Sequence, residues 1–421
     1  MPPALTGNGN VLYFRCSDHA RGKAPQKEAR METVRVAVIG VGNMGSAHAK
    51  TLHEGRIQGM HLVALCDHQP RRLEQLKAMY PDVACYAEYH EMLQKTALDA
   101  VVIAVPHPIH AEIAMECMEH GLHVLTEKPM DIKVSQARKA LEVAERTGKI
   151  YAIMFNQRTN PLFQRAREIV RSGELGELKR TVWMITNWYR TQHYYDSGSW
   201  RATWAGEGGG VLLNQAPHNL DLWQWICGMP VSVTAFCDVA RYHHIEVEDD
   251  ATLITRYANG ATGLFVTSTG EYPGTNRLEI SGDRGKIVLE NGRLHWWQLQ
   301  DAEHVVRVTS DVNSPKIPMT ETEYVPDEKV EGHPWILQNF SDAILKGTPL
   351  LSPASDGPNE LELSNAAYLS QWTGNCPVSL PLDQARFDHE LERWQANSSY
   401  RETEETDTPD GNYSHRWQTN W

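Results

Sequence analysis

Two stretches of this chain carry side chains that could do chemistry together. Glu127-Lys128-Pro129 closes the apolar run Val124-Leu125-Thr126 and so puts an acid and a base at a strand end. In an open parallel sheet the carboxyl ends of the strands border the ligand crevice, which is where Lys128 would then stand. Gly208-Gly209-Gly210 leads to Asn214, His218 and Asp221. If that segment is helical, the three residues lie at i, i+4 and i+7 on one face, and Pro217 bends it by removing a donor. An imidazole with its ordinary pKa of about 6.5 suits proton exchange at neutral pH, although a single helix histidine is often simply packed.

A third element would hold a cofactor for that chemistry. Gly40-Val41-Gly42-Asn43-Met44-Gly45 follows an apolar run and precedes a helical one. Glycines Gly40, Gly42 and Gly45 allow a tight turn and close approach to a pyrophosphate, whose charge a helix N-terminus favours. Asp67, at the end of the next strand, would accept from both ribose hydroxyls of an adenosine. It would also repel a 2′-phosphate, which favours NAD, while Arg71 and Arg72 nearby keep NADP open.

These residues need a frame. Val34–Gly40, Met60–Asp67, Asp99–Pro106, Leu122–Glu127 and Ile150–Arg158 read as buried parallel strands. Pro70–Tyr80, Ile109–His120 and Ser135–Thr147 between them carry helical spacing. The alternation predicts an α/β fold, with an N-terminal Rossmann doubly wound parallel sheet over residues 31–155. A C-terminal α+β domain over 156–385, with a large open, mainly antiparallel sheet, follows from β-rich runs at Glu177–Arg190, Val231–His243, Ala251–Tyr257, Ala261–Ser268, Arg277–Ser281, Lys286–Glu290 and Arg293–Leu299. Asn259-Gly260 and Asn291-Gly292 predict two-residue hairpins. Helices are expected over Pro334–Lys346 and Glu360–Trp372, and residues 386–421 as a helix and a mobile acidic tail from about Ser398.

Composition narrows the function. With 421 residues, 41% hydrophobic and 22% charged, the chain is long enough for two domains. A net charge of −13 argues against a nucleic-acid partner, and no apolar run is long enough to span a bilayer. Seven scattered cysteines without a CxxC pair indicate neither a disulfide framework nor a zinc site, so a reducing cytoplasm is expected. Residues 1–30 read as a loose extension ahead of Met31; Asp18 and Glu28 weaken a targeting reading. His243 and His244 with Glu246, Glu248, Asp249 and Asp250 read as a solvated turn and not a metal site, because adjacent strand side chains diverge. The loop Tyr194–Trp204, with Tyr195, Trp200, Arg201 and Asp196, suits a carbohydrate, whose CH faces rest on rings while polar groups meet hydroxyls.

Together, the Gly40–Gly45 turn with Asp67, Pro106-x-x-x-His110, Glu127-Lys128-Pro129, the triglycine followed by His218 and Asp221, and Glu360-Leu361-Glu362-Leu363-Ser364-Asn365-Ala366 resemble the Gfo/Idh/MocA oxidoreductases. That family includes glucose–fructose oxidoreductase and inositol dehydrogenase, and the resemblance covers about residues 34–382. It implies that Lys128 and His218 are catalytic, and that Asn214, Asp221 and Arg158 lie by the substrate. It further implies that Asn43, Met44, Pro106, His110, Glu127 and Asn156 join the glycines and Asp67 around the cofactor. A salt bridge at the domain interface is the other reading of Arg158. Many relatives carry aspartate where this chain has Asn214; an amide orients a hydroxyl but cannot take its proton, which leaves that task to His218 and Lys128. Relatives also pack the late helices back on the first domain and pair through the open sheet, so a homodimer or homotetramer is expected.

The expected activity is hydride transfer between a ring secondary alcohol of a sugar, glycoside or cyclitol and nicotinamide. Two alternatives are a glycoside-processing enzyme with tightly bound NAD, using Tyr195 or Asp196 as a further base, and a non-enzymatic nucleotide-gated binding protein. A proton relay has no purpose in the latter.

Overall fold

Val34, Val36, Ala37 and Val38 are wholly buried, as a central parallel strand requires. In the computed structural model, which describes residues 32–327 and 330–398, they form β1 (Val34–Ile39). The first lobe continues through α1 (Asn43–His53), β2 (Met60–Cys66), α2 (Pro70–Met79), β3 (Ala84–Tyr86), α3 (Tyr89–Lys95), β4 (Ala100–Ile103), α4 (His110–Glu119), β5 (His123–Thr126), α5 (Val134–Thr147) and β6 (Tyr151–Ile153). These strands make a six-stranded sheet in the order β3-β2-β1-β4-β5-β6, parallel throughout. The order reverses beside β1 and β4, and a crevice opens there at the strand ends. β3 and α3 are absent from the sequence reading, because Ala84-Cys85-Tyr86 is too short to show a period. The extension over 1–30 and the tail beyond Ser398 lie outside the described residues.

The second lobe contains α6 (Pro161–Arg171), β7 (Leu178–Ile185), α7 (Gln192–Asp196), α8 (Pro217–Cys227), β8 (Ser232–Val239), β9 (Glu248–Arg256), β10 (Thr262–Ser268), β11 (Asn276–Gly282), β12 (Gly285–Glu290), β13 (Arg293–Leu299), α9 (Glu303–Thr309) and β14 (Met319–Tyr324). The chain closes with α10 (Gly332–Lys346), α11 (Gly357–Trp372), β15 (Val378–Ser379) and α12 (Gln384–Ala396). Nine strands pair in the order β14-β13-β12-β11-β7-β10-β9-β8-β15, antiparallel except for β7 with β10. One face carries α8 and α11; the other leaves Met184, Phe236 and Ile254 40%, 50% and 42% exposed. Helix α10 packs Ile336, Leu337 and Phe340 into the core beneath β1 and β2, whereas α11 lies against β8 and α8 as well as α5. Both sheets belong to one compact unit.

Three local expectations need correction. At Asn291-Gly292 both residues are left-handed, with φ of 53° and 69°, as a two-residue turn demands. At Asn259-Gly260 only the glycine is, and Tyr257 N donates to Ala261 O, so a three-residue loop Ala258–Gly260 results. Pro217 does not bend a helix: α8 begins with it, where its missing N–H is harmless, and Asn214 precedes the helix in a turn. The segment around His243 is only partly solvated, since Glu248 and Asp249 are buried and Asp249 accepts from the backbone of Arg241, Tyr242 and His243. Among the described residues no group of side chains is arranged to hold a metal ion, and no helix is long and apolar enough to cross a membrane.

Candidate active site

The glycine turn between β1 and α1 is shaped by its own backbone. Gly40 has φ +83°, and a Cβ there would lie 2.6 Å from Ala104 O; at Gly45 it would lie 1.8 Å from Gly40 O. At Gly42 a Cβ would meet nothing among the described residues within 4 Å, its chain neighbours aside, because that position faces an open cleft of about 1230 Å³. Gly40, Asn43, Met44, Asp67, Pro106, Glu127 and Asn156 line the same cleft. The Asp67 carboxylate accepts from Val41 N at 2.8 Å, Gln69 N at 3.0 Å and Arg72 Nη1 at 2.9 Å, which fixes it at the mouth of the turn. An open glycine edge, a helix N-terminus and an anchored acid fit a dinucleotide. His110 also lines the cleft, yet each ring nitrogen sits 2.7 Å from a carbonyl oxygen, of Val105 and of Pro129. It therefore ties the β4 loop to the β5 loop.

Lys128 follows β5, and its bond to Pro129 is cis. Its Nζ donates to Asn214 O, in the second lobe, at 2.7 Å. Burial lowers the Lys128 pKa, against the opposing charges of Glu127, Glu360 and Glu207. Burial alone would raise Glu127, but the bond from His48 Nε2 at 2.8 Å and the charges of His48, His333 and Lys128 bring it to about 2.

On the facing side, the triglycine is clamped to the second lobe. Glu248 accepts from Gly210 N at 3.0 Å, Leu212 N at 2.9 Å and the Tyr368 hydroxyl at 2.8 Å. A Cβ at Gly209 or Gly210 would run into Tyr368 or Glu248, at 2.2 and 1.9 Å, so the contact needs glycine. This clamp leads the chain into Asn214 and His218, both of which line the cleft with Lys128. His218 is held well below its ordinary pKa by burial and then by the charge of Lys128, and its Nδ1 has no hydrogen-bond partner among the described residues.

Trp200, Arg201 and Tyr194 form one wall, the Arg201 guanidinium lying 4.5 Å from the Trp200 ring and 4.7 Å from that of Tyr194. Three residues expected by the substrate do not line the cleft. Arg158 and Asp221 are wholly buried and spend their charges on each other, through bonds of 2.8 and 2.6 Å, with Asp356 as a second partner of the arginine. Here the salt-bridge reading of Arg158 holds: its guanidinium lies against the Phe155 ring, which makes a T-shaped contact with the ring of His218. The Tyr195 hydroxyl is buried against Thr269 at 2.7 Å, and Asp196 points to solvent with Gln192, so neither supplies a base to the cleft. Tyr194, one residue earlier, faces it instead.

Sequence reasoning passed over Glu207, His48 and His333. Glu207 directly precedes the triglycine, and His48 falls on the buried stripe of α1 with Gly45, Ala49 and Leu52, a period that could have revealed it. His333 arrives from the far end of the chain and left no signal.

Residues 34–155 match the model of the GFO/IDH/MocA oxidoreductase family, NAD-binding Rossmann fold, and residues 163–288 match its C-terminal domain. The scyllo-inositol 2-dehydrogenase (NAD(+)) of Bacillus subtilis is 26% identical over 361 residues, 84% of this chain and 98% of that one. An alpha-N-acetylgalactosaminidase of Shewanella oneidensis is 30% identical over 277 residues, 62% of this chain and 56% of that one. The WlbA dehydrogenase of Chromobacterium violaceum, solved with NADH and UDP-GlcNAcA, superposes with a TM-score of 0.72 at 26% identity, covering 86% of this chain and 100% of the other.

Proposed function

Because the chain belongs to the Gfo/Idh/MocA oxidoreductases and carries their NAD-binding Rossmann domain, we propose that it is an NAD-dependent dehydrogenase of a ring secondary alcohol in a sugar or cyclitol. The observation that carries this reading is the meeting of Lys128, from the first lobe, with Asn214 and His218, from the second, in one cleft.

NAD, when bound, would take the hydride from the alcohol carbon. The proton is left to the chain's own groups. Lys128 Nζ, with a lowered pKa, donates to the reacting oxygen and stabilises it as its proton leaves. His218, kept neutral by burial and by Lys128, accepts that proton on a ring nitrogen. Asn214 holds a neighbouring hydroxyl but exchanges no proton. The Trp200 and Tyr194 rings carry the CH face of the substrate. Closing the cleft around a rigid ring aligns these groups before the reaction, which is where much of the rate would come from.

The inositol dehydrogenase among the relatives favours a cyclitol or an unmodified sugar ring. A redox-neutral glycosidase, suggested by the Shewanella relative, loses Tyr195 and Asp196 as its extra base. The exposed apolar residues Met184, Phe236 and Ile254 suit pairing of copies through the open sheet, and the free thiols of the described cysteines suit the cytoplasm. The test is a panel of inositols, monosaccharides and glycosides assayed for net reduction of NAD. Net reduction by a free polyol supports the dehydrogenase; release of an aglycone with no net reduction overturns it.

A further inference from the structure

A buried acid stands directly behind Asn214. Glu207 is 2% exposed. Its Oε1 accepts from Asn214 Nδ2, and its Oε2 accepts from Ala202 N at 2.6 Å. A carboxylate only accepts, so the amide of Asn214 has one allowed orientation: Nδ2 towards Glu207 and Oδ1 away from it. On that other side the Tyr194 hydroxyl reaches Asn214 Oδ1 at 3.4 Å, while receiving bonds of 3.0 Å each from Arg201 Nη1 and Gln215 Nε2. Asn214, Tyr194, Arg201 and Gln215 all line the cleft; Glu207 does not.

We propose that Glu207 is a positioning residue that sets the polarity of Asn214, so that the cleft presents an acceptor oxygen to a substrate hydroxyl as a carboxylate at position 214 would. The acid is set behind the amide and away from the ligand; burial raises its pKa, against the Arg201 charge and the two N–H donors of Asn214 and Ala202. The site thereby recognises a ring hydroxyl that donates, beside the hydroxyl that Lys128 and His218 oxidise. This inference rests on the dehydrogenase reading for its substrate, but the pair itself does not.

The geometry predicts how exchanges behave. In Glu207→Gln, Ala202 N still needs an acceptor, so the new amide turns its nitrogen to Asn214. That forces Asn214 to turn its own nitrogen to the cleft, reversing what the hydroxyl meets. Asn214→Asp sets two carboxyls against each other, so they repel when both are charged and otherwise hold a proton between them that ties up the oxygen meant for the hydroxyl. The double exchange rebuilds the contact with roles swapped, because the amide now at position 207 accepts from Ala202 N and donates to the carboxylate now at position 214.

The experiment is this cycle of four proteins, read by steady-state kinetics on the best polyol and by melting temperature. Each single variant should lose about tenfold or more in kcat/KM, chiefly through KM, and the double variant should return to within about threefold of the starting protein. Melting temperatures should fall in the singles and recover in the double. Singles with ordinary KM, or a double no better than the worse single, overturn the proposal; so does a recovered melting temperature with KM still raised, which would leave Glu207 a purely structural role. If the unaltered protein oxidises no polyol, the dehydrogenase reading falls separately. Additive losses in melting temperature would then overturn the pairing, and non-additive recovery would support it.

Discussion

Lys128 Nζ donates to the backbone oxygen of Asn214 at 2.7 Å, and this bond joins the first lobe to the sheet lobe in the cleft that both line. Replacing Lys128 by Ala removes that bond together with the donor proposed for the alcohol oxygen. Turnover should fall by about two to four orders of magnitude, the usual range for a lost proton-transfer group. NADH affinity, measured by fluorescence titration, should change little, since the glycine turn and Asp67 are untouched.

The glycine turn offers a contrast between two neighbours. Gly42→Val places a side chain into open cleft, with nothing among the described residues within 4 Å of its Cβ beyond its chain neighbours. It should fold normally and lose NADH binding. Gly45→Ala forces a Cβ to 1.8 Å from Gly40 O and should lower the melting temperature as well. Equal NADH affinity in Gly42→Val and the unaltered protein would place the cofactor elsewhere.

Arg158 and Asp221 form a buried pair, both shielded from solvent. Arg158→Met leaves Asp221 as an uncompensated buried charge and should destabilise by about 3–5 kcal/mol in urea unfolding. Adding Asp221→Leu should recover much of that loss, because the removed partner no longer strands a charge.

Glu360 on α11 is fully buried, and neither carboxyl oxygen has a hydrogen-bond partner among the described residues. Burial, with the nearby charge of Asp221, raises its pKa well above the ordinary carboxylate value. The folded protein thus binds this proton more tightly than the unfolded chain. The associated stability is full below the ordinary pKa of about 4.3 and is lost as pH rises towards the folded value. Relative to Glu360→Gln, the unaltered protein should weaken as pH rises above about 4.3, by at most about 1.4 kcal/mol per unit. A pH-independent difference in melting temperature would show that Glu360 does not change its charge there.

How far the sequence could be read depended on the range of the interaction. The strands β1, β2, β4 and β5 announce themselves through unbroken apolar runs, and the turn at Gly40–Gly45 through local backbone need; both are properties of a few adjacent residues. Lys128 was placed at a strand end by the same local logic. For Arg158, which the sequence leaves between substrate and salt bridge, and for Asp221 and Tyr195, which it puts by the substrate, facing the cleft or facing the core is settled by partners 63 to 74 positions away. Asn214 and His218 do share the site, though not through a common helix: a turn and the start of α8 bring them there. Glu207 was invisible for another reason. Its role exists only through Asn214 and the backbone of Ala202, and a single glutamate before three glycines carries no period.

The most direct test of the account is the crystal structure of the protein with NADH and the polyol that it oxidises best. Lys128 Nζ and a ring nitrogen of His218 should both lie within about 3.2 Å of one and the same hydroxyl oxygen. A bound ring whose hydroxyls touch only one of the two, or neither, would contradict it.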